Sequence, residues 1–178
     1  MPYADEVRAV LLAHKERGAL RLAAPLGAVL ATAVRRAYAH PEGLPGAVSG
    51  VGPLTLVPVP SARRAVAGRG HDPVRRIALA AARELRRDGL PARMLGVLRQ
   101  KRAVADQAGL SAPQRLANLS GALEMVPGGE GLLAGGETVL VDDLMTTGAS
   151  LAEAARTVRE QARNVTAAAV VAFRPKVR

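Results

Sequence analysis

Apolar residues recur along this chain in two alternating rhythms. From Tyr3 to His14, and again from Leu20 to Tyr38, they fall at helical spacing, with Gly18 as the stop between two predicted helices. Val7, Val10, Leu11 and His14 share one face of the first. His14 reads as a residue at the solvent boundary of that face, since no second histidine or carboxylate pairs with it at metal-ligand spacing. His40 to Gly46 is a loop by its proline and glycine content. The continuous apolar run from Leu54 to Val59 predicts a buried strand ending at Pro60, where a missing backbone donor is tolerated. Asp72-Pro73 has the form of an N-cap followed by an N1 proline. It opens a helix to about Arg87, with Val74, Ile77, Ala78, Ala81 and Leu85 inward and Asp88-Gly89 as its stop.

The second half continues the alternation. Ala92 to Leu98 predicts a third strand, and Gly121 to Val126 a short one. Arg99 to Asn118 is polar, charged and without clear period, which predicts a mobile loop ending in a short helix. Pro127 to Gly136 reads as a Gly-rich turn. Thr138 to Val141 is a buried strand, a helix follows from about Ala149 to Ala162, and the last strand runs from Val165 to Phe173. Strands alternating with helices predict an α/β fold: a Rossmann-like parallel sheet flanked by helices, in one domain over residues 1–178. In such sheets ligands lie at the carboxyl ends of the strands, which places Asp142, Asp143 and the Val57–Arg64 stretch together.

Composition narrows this reading. Aromatic residues are 2% of the chain and hydrophobic residues 49%, so the core is aliphatic. The absence of cysteine excludes disulfides, a thiol nucleophile and a zinc ribbon within these residues. Arg and Gly interrupt every apolar run before it reaches membrane-spanning length, and the first residues carry acids, so a cytoplasmic protein without membrane contact is expected. The net charge is +10, and thirteen Lys and Arg stand against four acids between Arg63 and Arg115. That concentration suits either a solvated basic face or a surface for an anionic ligand.

The candidate chemistry sits in Thr138-Val139-Leu140-Val141-Asp142-Asp143-Leu144-Met145-Thr146-Thr147-Gly148-Ala149-Ser150. A strand runs into two adjacent carboxylates, then into a small hydroxyl-rich turn that opens a helix. Backbone N–H groups at a helix N-terminus seat a phosphate, while paired carboxylates accept from sugar hydroxyls and repel phosphate. The arrangement separates a hydroxyl end from a phosphate end, as a sugar phosphate requires.

This segment resembles the phosphoribosyl-pyrophosphate (PRPP) motif of type I phosphoribosyltransferases. Further segments are similar, in the same order, to the ComF-type, amidophosphoribosyltransferase-like branch of that family. They are Pro58-Val59-Pro60, Arg69-Gly70, Arg99-Gln100-Lys101-Arg102, Gln107-Ala108-Gly109-Leu110-Ser111 and Arg115-Leu116-Ala117-Asn118. His14-Lys15-Glu16-Arg17-Gly18 is similar to a Lys-rich turn there. The resemblance implies the type I phosphoribosyltransferase fold with a small hood formed within residues 1–46, and a mobile loop over residues 99–118.

It also implies PRPP as ligand, Mg²⁺ as cofactor, and transfer of a phosphoribosyl group to a nucleobase or amine acceptor. Asp142, Asp143, Thr146, Thr147, Gly148, Ala149 and Ser150 are then the PRPP-binding residues, with Mg²⁺ near the two acids. Val59, Pro60, Ser61, Arg63 and Arg64 form the pyrophosphate loop. Arg99, Lys101 and Arg102 close over it, and Asp142, Asp143 and Lys101 are the catalytic candidates. Phe173 is the candidate for stacking a base.

Three departures bear on the acceptor. Members often carry a four-cysteine zinc ribbon, for which no cysteine is present; His71-Asp72-Pro73 follows Arg69-Gly70 in place of an aromatic and an Asn-Gln pair; and Leu123 stands where Phe is frequent. The 6-oxopurine enzymes of the superfamily place an Asp where Thr146 stands, which argues against hypoxanthine or guanine. The alternatives are a non-catalytic PRPP binder and a competence factor acting with a helicase partner and single-stranded DNA. The oligomeric state stays open, a homodimer included.

Overall fold

The unbroken apolar runs fold as strands covered on both faces. The computed structural model describes residues 1–39, 52–102, 104, 111–161 and 165–175. In chain order the elements are α1 (Asp5–Glu16), a 3-10 turn (Leu20–Leu22), α2 (Ala23–Ala39), β1 (Leu54–Pro58), α3 (Arg63–Arg69), α4 (Pro73–Arg87), β2 (Ala92–Met94), β3 (Leu98–Gln100), α5 (Ala112–Leu119), β4 (Leu123–Met125), α6 (Gly129–Leu133), β5 (Thr138–Met145), α7 (Ala149–Gln161) and β6 (Val165–Phe173). Four strands form a parallel sheet in the order β2-β1-β5-β6. The fold is the expected Rossmann-like α/β architecture. The loop expected at His40–Gly46 lies outside the described residues.

Alternate residues of each strand feed two cores, as the pleat requires. On one face Leu54, Leu56, Val139, Val141 and Val171 pack with Leu11 of α1, Leu30 and Val34 of α2, and Ile77 and Leu85 of α4. On the other, Val57 and Leu140 pack with Leu151, Ala154 and Val158 of α7 and with Val97, Met125 and Leu133. α4 begins as expected: the Asp72 carboxylate accepts from Arg75 N at 3.1 Å, with Pro73 next. α2 and α4 touch closely at Gly27, where an added Cβ would lie 2.4 Å from Ala80 Cβ and 2.9 Å from the α4 backbone.

The structure corrects four local expectations. The strand expected over Ala92–Leu98 is two: β2 stays in the main sheet, the chain departs after Leu95-Gly96, and β3 pairs antiparallel with β4. Arg99 and Gln100 therefore belong to a strand; the short helix expected before Asn118 is present as α5, capped reciprocally by Ser111 and Gln114. Residues 103 and 105–110 of the expected mobile loop lie outside the described residues. The Gly-rich turn holds α6, anchored by fully buried Leu133. Finally, His14 is buried, not at the solvent boundary: Nδ1 lies 3.3 Å from Ala19 O and Nε2 3.4 Å from Pro73 O.

The first residues run beside the end of β6. Phe173 N donates to Met1 O at 2.9 Å and Tyr3 N to Phe173 O at 2.8 Å, and the Arg174 guanidinium stands 5.5 Å from the centre of the Tyr3 ring. Among the described residues no helix is long and apolar enough to cross a membrane.

Candidate active site

Strand order reverses direction between β1 and β5, and the crevice outside that junction is where open α/β sheets bind ligands. The segment leaving β1 (Val59–Ala62) and the end of β5 line one cavity there, of about 500 Å³. Asp142, Asp143, Thr146 and Ser150 contribute from the β5 side, and Lys15 and Arg69 from α1 and α3.

The acid pair lies within β5, one strand turn before the loop. Asp143 is 5% exposed, and Lys15 Nζ donates to its Oδ2 at 3.1 Å. Asp143 N donates to Asp142 Oδ1 at 2.8 Å. Enclosure, followed by the neighbouring Asp143 carboxylate, pushes the Asp142 carboxyl well above the usual carboxylate range. Burial alone would lower Lys15; the Asp143 carboxylate, the bond to it and the charge of Asp142 outweigh burial and raise it. An added cation would relieve the same crowding of charge at Asp142. Among the described residues no three His, Asp or Glu come together as a metal cluster. Two adjacent carboxylates at the cavity wall fit Mg²⁺, which binds through one or two carboxylates and keeps several waters.

The turn after β5 opens α7 through a left-handed glycine. Gly148 has φ +81°, a left-handed conformation that L side chains rarely adopt. Thr147 Oγ1 accepts from Ala149 N at 3.4 Å, and Arg115 Nη1 from α5 donates to Thr146 Oγ1 at 3.2 Å. Asp142, Thr146, Thr147, Gly148, Ala149 and Ser150 enclose a recess of about 20 Å³ that adjoins the large cavity. Thus the expected PRPP-binding residues come together.

No family model matches this chain, and no curated protein does.

The expected pyrophosphate loop divides between two places. Val59, Pro60 and Ser61 line the large cavity, whereas Arg63 and Arg64 line a neighbouring one of about 300 Å³ with Lys101 and Arg102. Ala62, Gln100 and Val104 border both. Arg102 Nη2 is fixed by the carbonyls of Asn118 and Ser120, at 2.9 and 3.0 Å. Arg99 lines neither cavity; it pairs across the β3–β4 ladder with Glu124 at 2.8 Å. Phe173 is half-buried, stands beside Met145 in the sheet register and lines neither cavity.

Four site residues escape a chain-order reading. Lys15 reaches the acid pair from 128 residues away. Arg69 and Arg115 had only their places in similar segments as a signal. Glu153 is the fourth: its residue lines the cavity, and its carboxylate takes a two-pronged bond from Arg156 at 2.9 Å and accepts from Leu123 N at 3.3 Å. The Arg156 bond, against the cost of burial and with the help of the Leu123 amide, holds Glu153 below its ordinary value.

Proposed function

We propose that this protein binds PRPP with Mg²⁺ and transfers the phosphoribosyl group to an acceptor with release of pyrophosphate. The observation that carries the reading is the meeting of three parts at the sheet's reversal point. These are the acid pair, the hydroxyl-rich turn opening α7 and an adjoining cavity ringed by Arg63, Arg64, Lys101 and Arg102.

The turn seats the 5′-phosphate on backbone N–H groups and on the Ser150 and Thr147 hydroxyls, at the positive end of the α7 dipole. Asp142 and Asp143 hold the ribose hydroxyls, and Lys15 keeps Asp143 oriented. The Val59–Ser61 segment and the cations of the second cavity receive the pyrophosphate. When bound, Mg²⁺ neutralises charge on the leaving pyrophosphate. Loss of that group leaves an oxocarbenium-like ribose, for which a fixed sugar and the negative acid pair supply position and charge. Thr146 offers no carboxylate to a purine, so an acceptor other than a 6-oxopurine goes with this reading, as does a cytoplasmic setting.

Calorimetric titration of PRPP tests it. Mg²⁺-dependent binding is expected in the wild type, weakened at least about a hundredfold in Asp142→Asn/Asp143→Asn, since two charge-assisted contacts are lost. A folded wild type that ignores Mg²⁺–PRPP overturns the proposal. The ring of cations also favours a second reading, a factor that holds single-stranded DNA beside a helicase partner. It ranks lower because the chain has only two Tyr and one Phe as stacking platforms. Salt-sensitive affinity for single-stranded DNA that excess PRPP leaves intact would reverse the order.

A further inference from the structure

The outward face of α4 carries an apolar centre inside a ring of unanswered charge. Its inward face is buried from Val74 to Leu85, which leaves Arg75, Arg76, Leu79, Arg83, Arg86 and Arg87 exposed on the opposite side. Leu79 is 38% exposed, unusual for a large apolar side chain of this molecule. Residues three and four positions away are its neighbours on a helix surface. Those are Arg75, Arg76 and Arg83, together with buried Ala82.

The acids of this stretch are committed elsewhere. Asp72 caps the helix through Arg75 N, Glu84 pairs with Arg87 at 2.5 Å, and Asp88 pairs with Arg35 of α2. Among the described residues no hydrogen bond or ion pair reaches the side chains of Arg75, Arg76 or Arg83. Arg75 and Arg76 also stand at the opening of the helix, where the dipole disfavours cations, and Arg83 has Arg86 and Arg87 as like-charged neighbours. An anionic partner offsets all of these costs at once.

The partner's chemistry follows from Leu79. A phosphate chain answers the arginines but leaves the leucine in water, and the face offers no aromatic platform on which a base could stack. A polypeptide with carboxylates around an apolar side chain answers both. Guanidinium groups take carboxylates in two-pronged bonds, and an apolar anchor within a polar rim is the usual anatomy of a protein interface. We propose that this face of α4 docks an acidic segment of a partner protein, with an apolar side chain seated on Leu79 and carboxylates on Arg75, Arg76 and Arg83. These residues line neither cavity, so the docking stands independently of the candidate active site.

Fluorescence anisotropy with a labelled peptide as long as α4, made of Glu and Ala around one central Leu, tests this. Comparison peptides replace that Leu by Ser, or every Glu by Gln, and a labelled oligothymidylate of similar length supplies a phosphate chain. In about 0.15 M salt the Leu peptide is expected to bind about fivefold more tightly than the Ser peptide and at least about tenfold more tightly than the Gln peptide. Arg76→Gln/Arg83→Gln should weaken it about tenfold or more, whereas Arg8→Gln/Arg17→Gln, which removes the same charge from α1, should weaken it less than about twofold. Leu79→Ser should bring the Leu peptide down to the affinity of the Ser peptide and leave the Ser peptide unchanged. Every substituted residue is exposed, so the fold is retained. A Leu peptide that does not bind, that binds no better than the Ser peptide, or that both arginine pairs weaken equally overturns the inference. So does an oligothymidylate that binds more tightly than the Leu peptide and loses that affinity in Arg76→Gln/Arg83→Gln, for the face then serves nucleic acid.

Discussion

Asp142 carries the sharpest conflict between stability and chemistry in the molecule. Its carboxyl is pushed up by enclosure and by Asp143, so the folded chain holds that proton more tightly than the unfolded chain. Ionising it as pH rises through the window above the usual carboxylate pKa therefore costs folding free energy. Asp142→Asn should raise the melting temperature at pH 7 by about 2–4 °C, for a gain on the order of 1 kcal/mol. The gain should vanish below about pH 4, where both states are protonated. Thermal melts across that range check it; a variant that melts lower at pH 7 contradicts the stated cause. Glu153 behaves in the opposite sense. The Arg156 bond lowers it, so its contribution is present above the ordinary Glu value and is lost as pH falls through the lowered one. Glu153→Ala leaves the buried Leu123 N–H without its acceptor and should cost about 1–3 kcal/mol at pH 7, with the deficit closing in acid. Denaturant unfolding at neutral and acid pH reads both numbers.

Among the elements, the closest contact is that of α2 with α4 at Gly27. Alanine there gains about 1 kcal/mol of helix propensity. The atoms it would meet, however, include the backbone of Ala80 and Ala81, which cannot swing aside. Gly27→Ala should lose about 1–3 kcal/mol net through overpacking, seen as a lower urea midpoint with unchanged slope. Element by element, legibility in the sequence followed the strength of local signals. α4 was legible to its ends because Asp72-Pro73 and Asp88-Gly89 punctuate it, and β6 because nine residues of small and apolar character run unbroken. β5 was legible to Val141 but continues to Met145, since carboxylates inside a buried strand break the apolar pattern that announces one. β3 and β4 are three residues each, too short for period to speak, and their pairing is a long-range event. In the site, the Thr146–Ser150 turn was local and readable. The ion pair of Lys15, the bond from Arg115 to Thr146 and the ladder partner of Arg99 depend on contacts that no window of sequence contains.

Across the whole molecule, the two cores meet at one parallel sheet, and the cavity opens where the sheet's order turns back on itself. Four remote stretches build it: the last turn of α1, the segment after β1 with α3 and the start of α4, the stretch from β3 through α5 to β4, and the end of β5 with the start of α7. Of the thirteen Lys and Arg between Arg63 and Arg115, Arg69 and Arg115 line this cavity and Arg63, Arg64, Lys101 and Arg102 line its neighbour. Tyr3, set against Arg174 beside the last strand, has a practical consequence. The chain has no tryptophan, so its emission on excitation at about 280 nm comes from Tyr3 and Tyr38, and neither lines the two cavities described above. Intrinsic fluorescence is thus an optical gauge of how the first residues sit on the sheet, and is blind by construction to what fills the crevice.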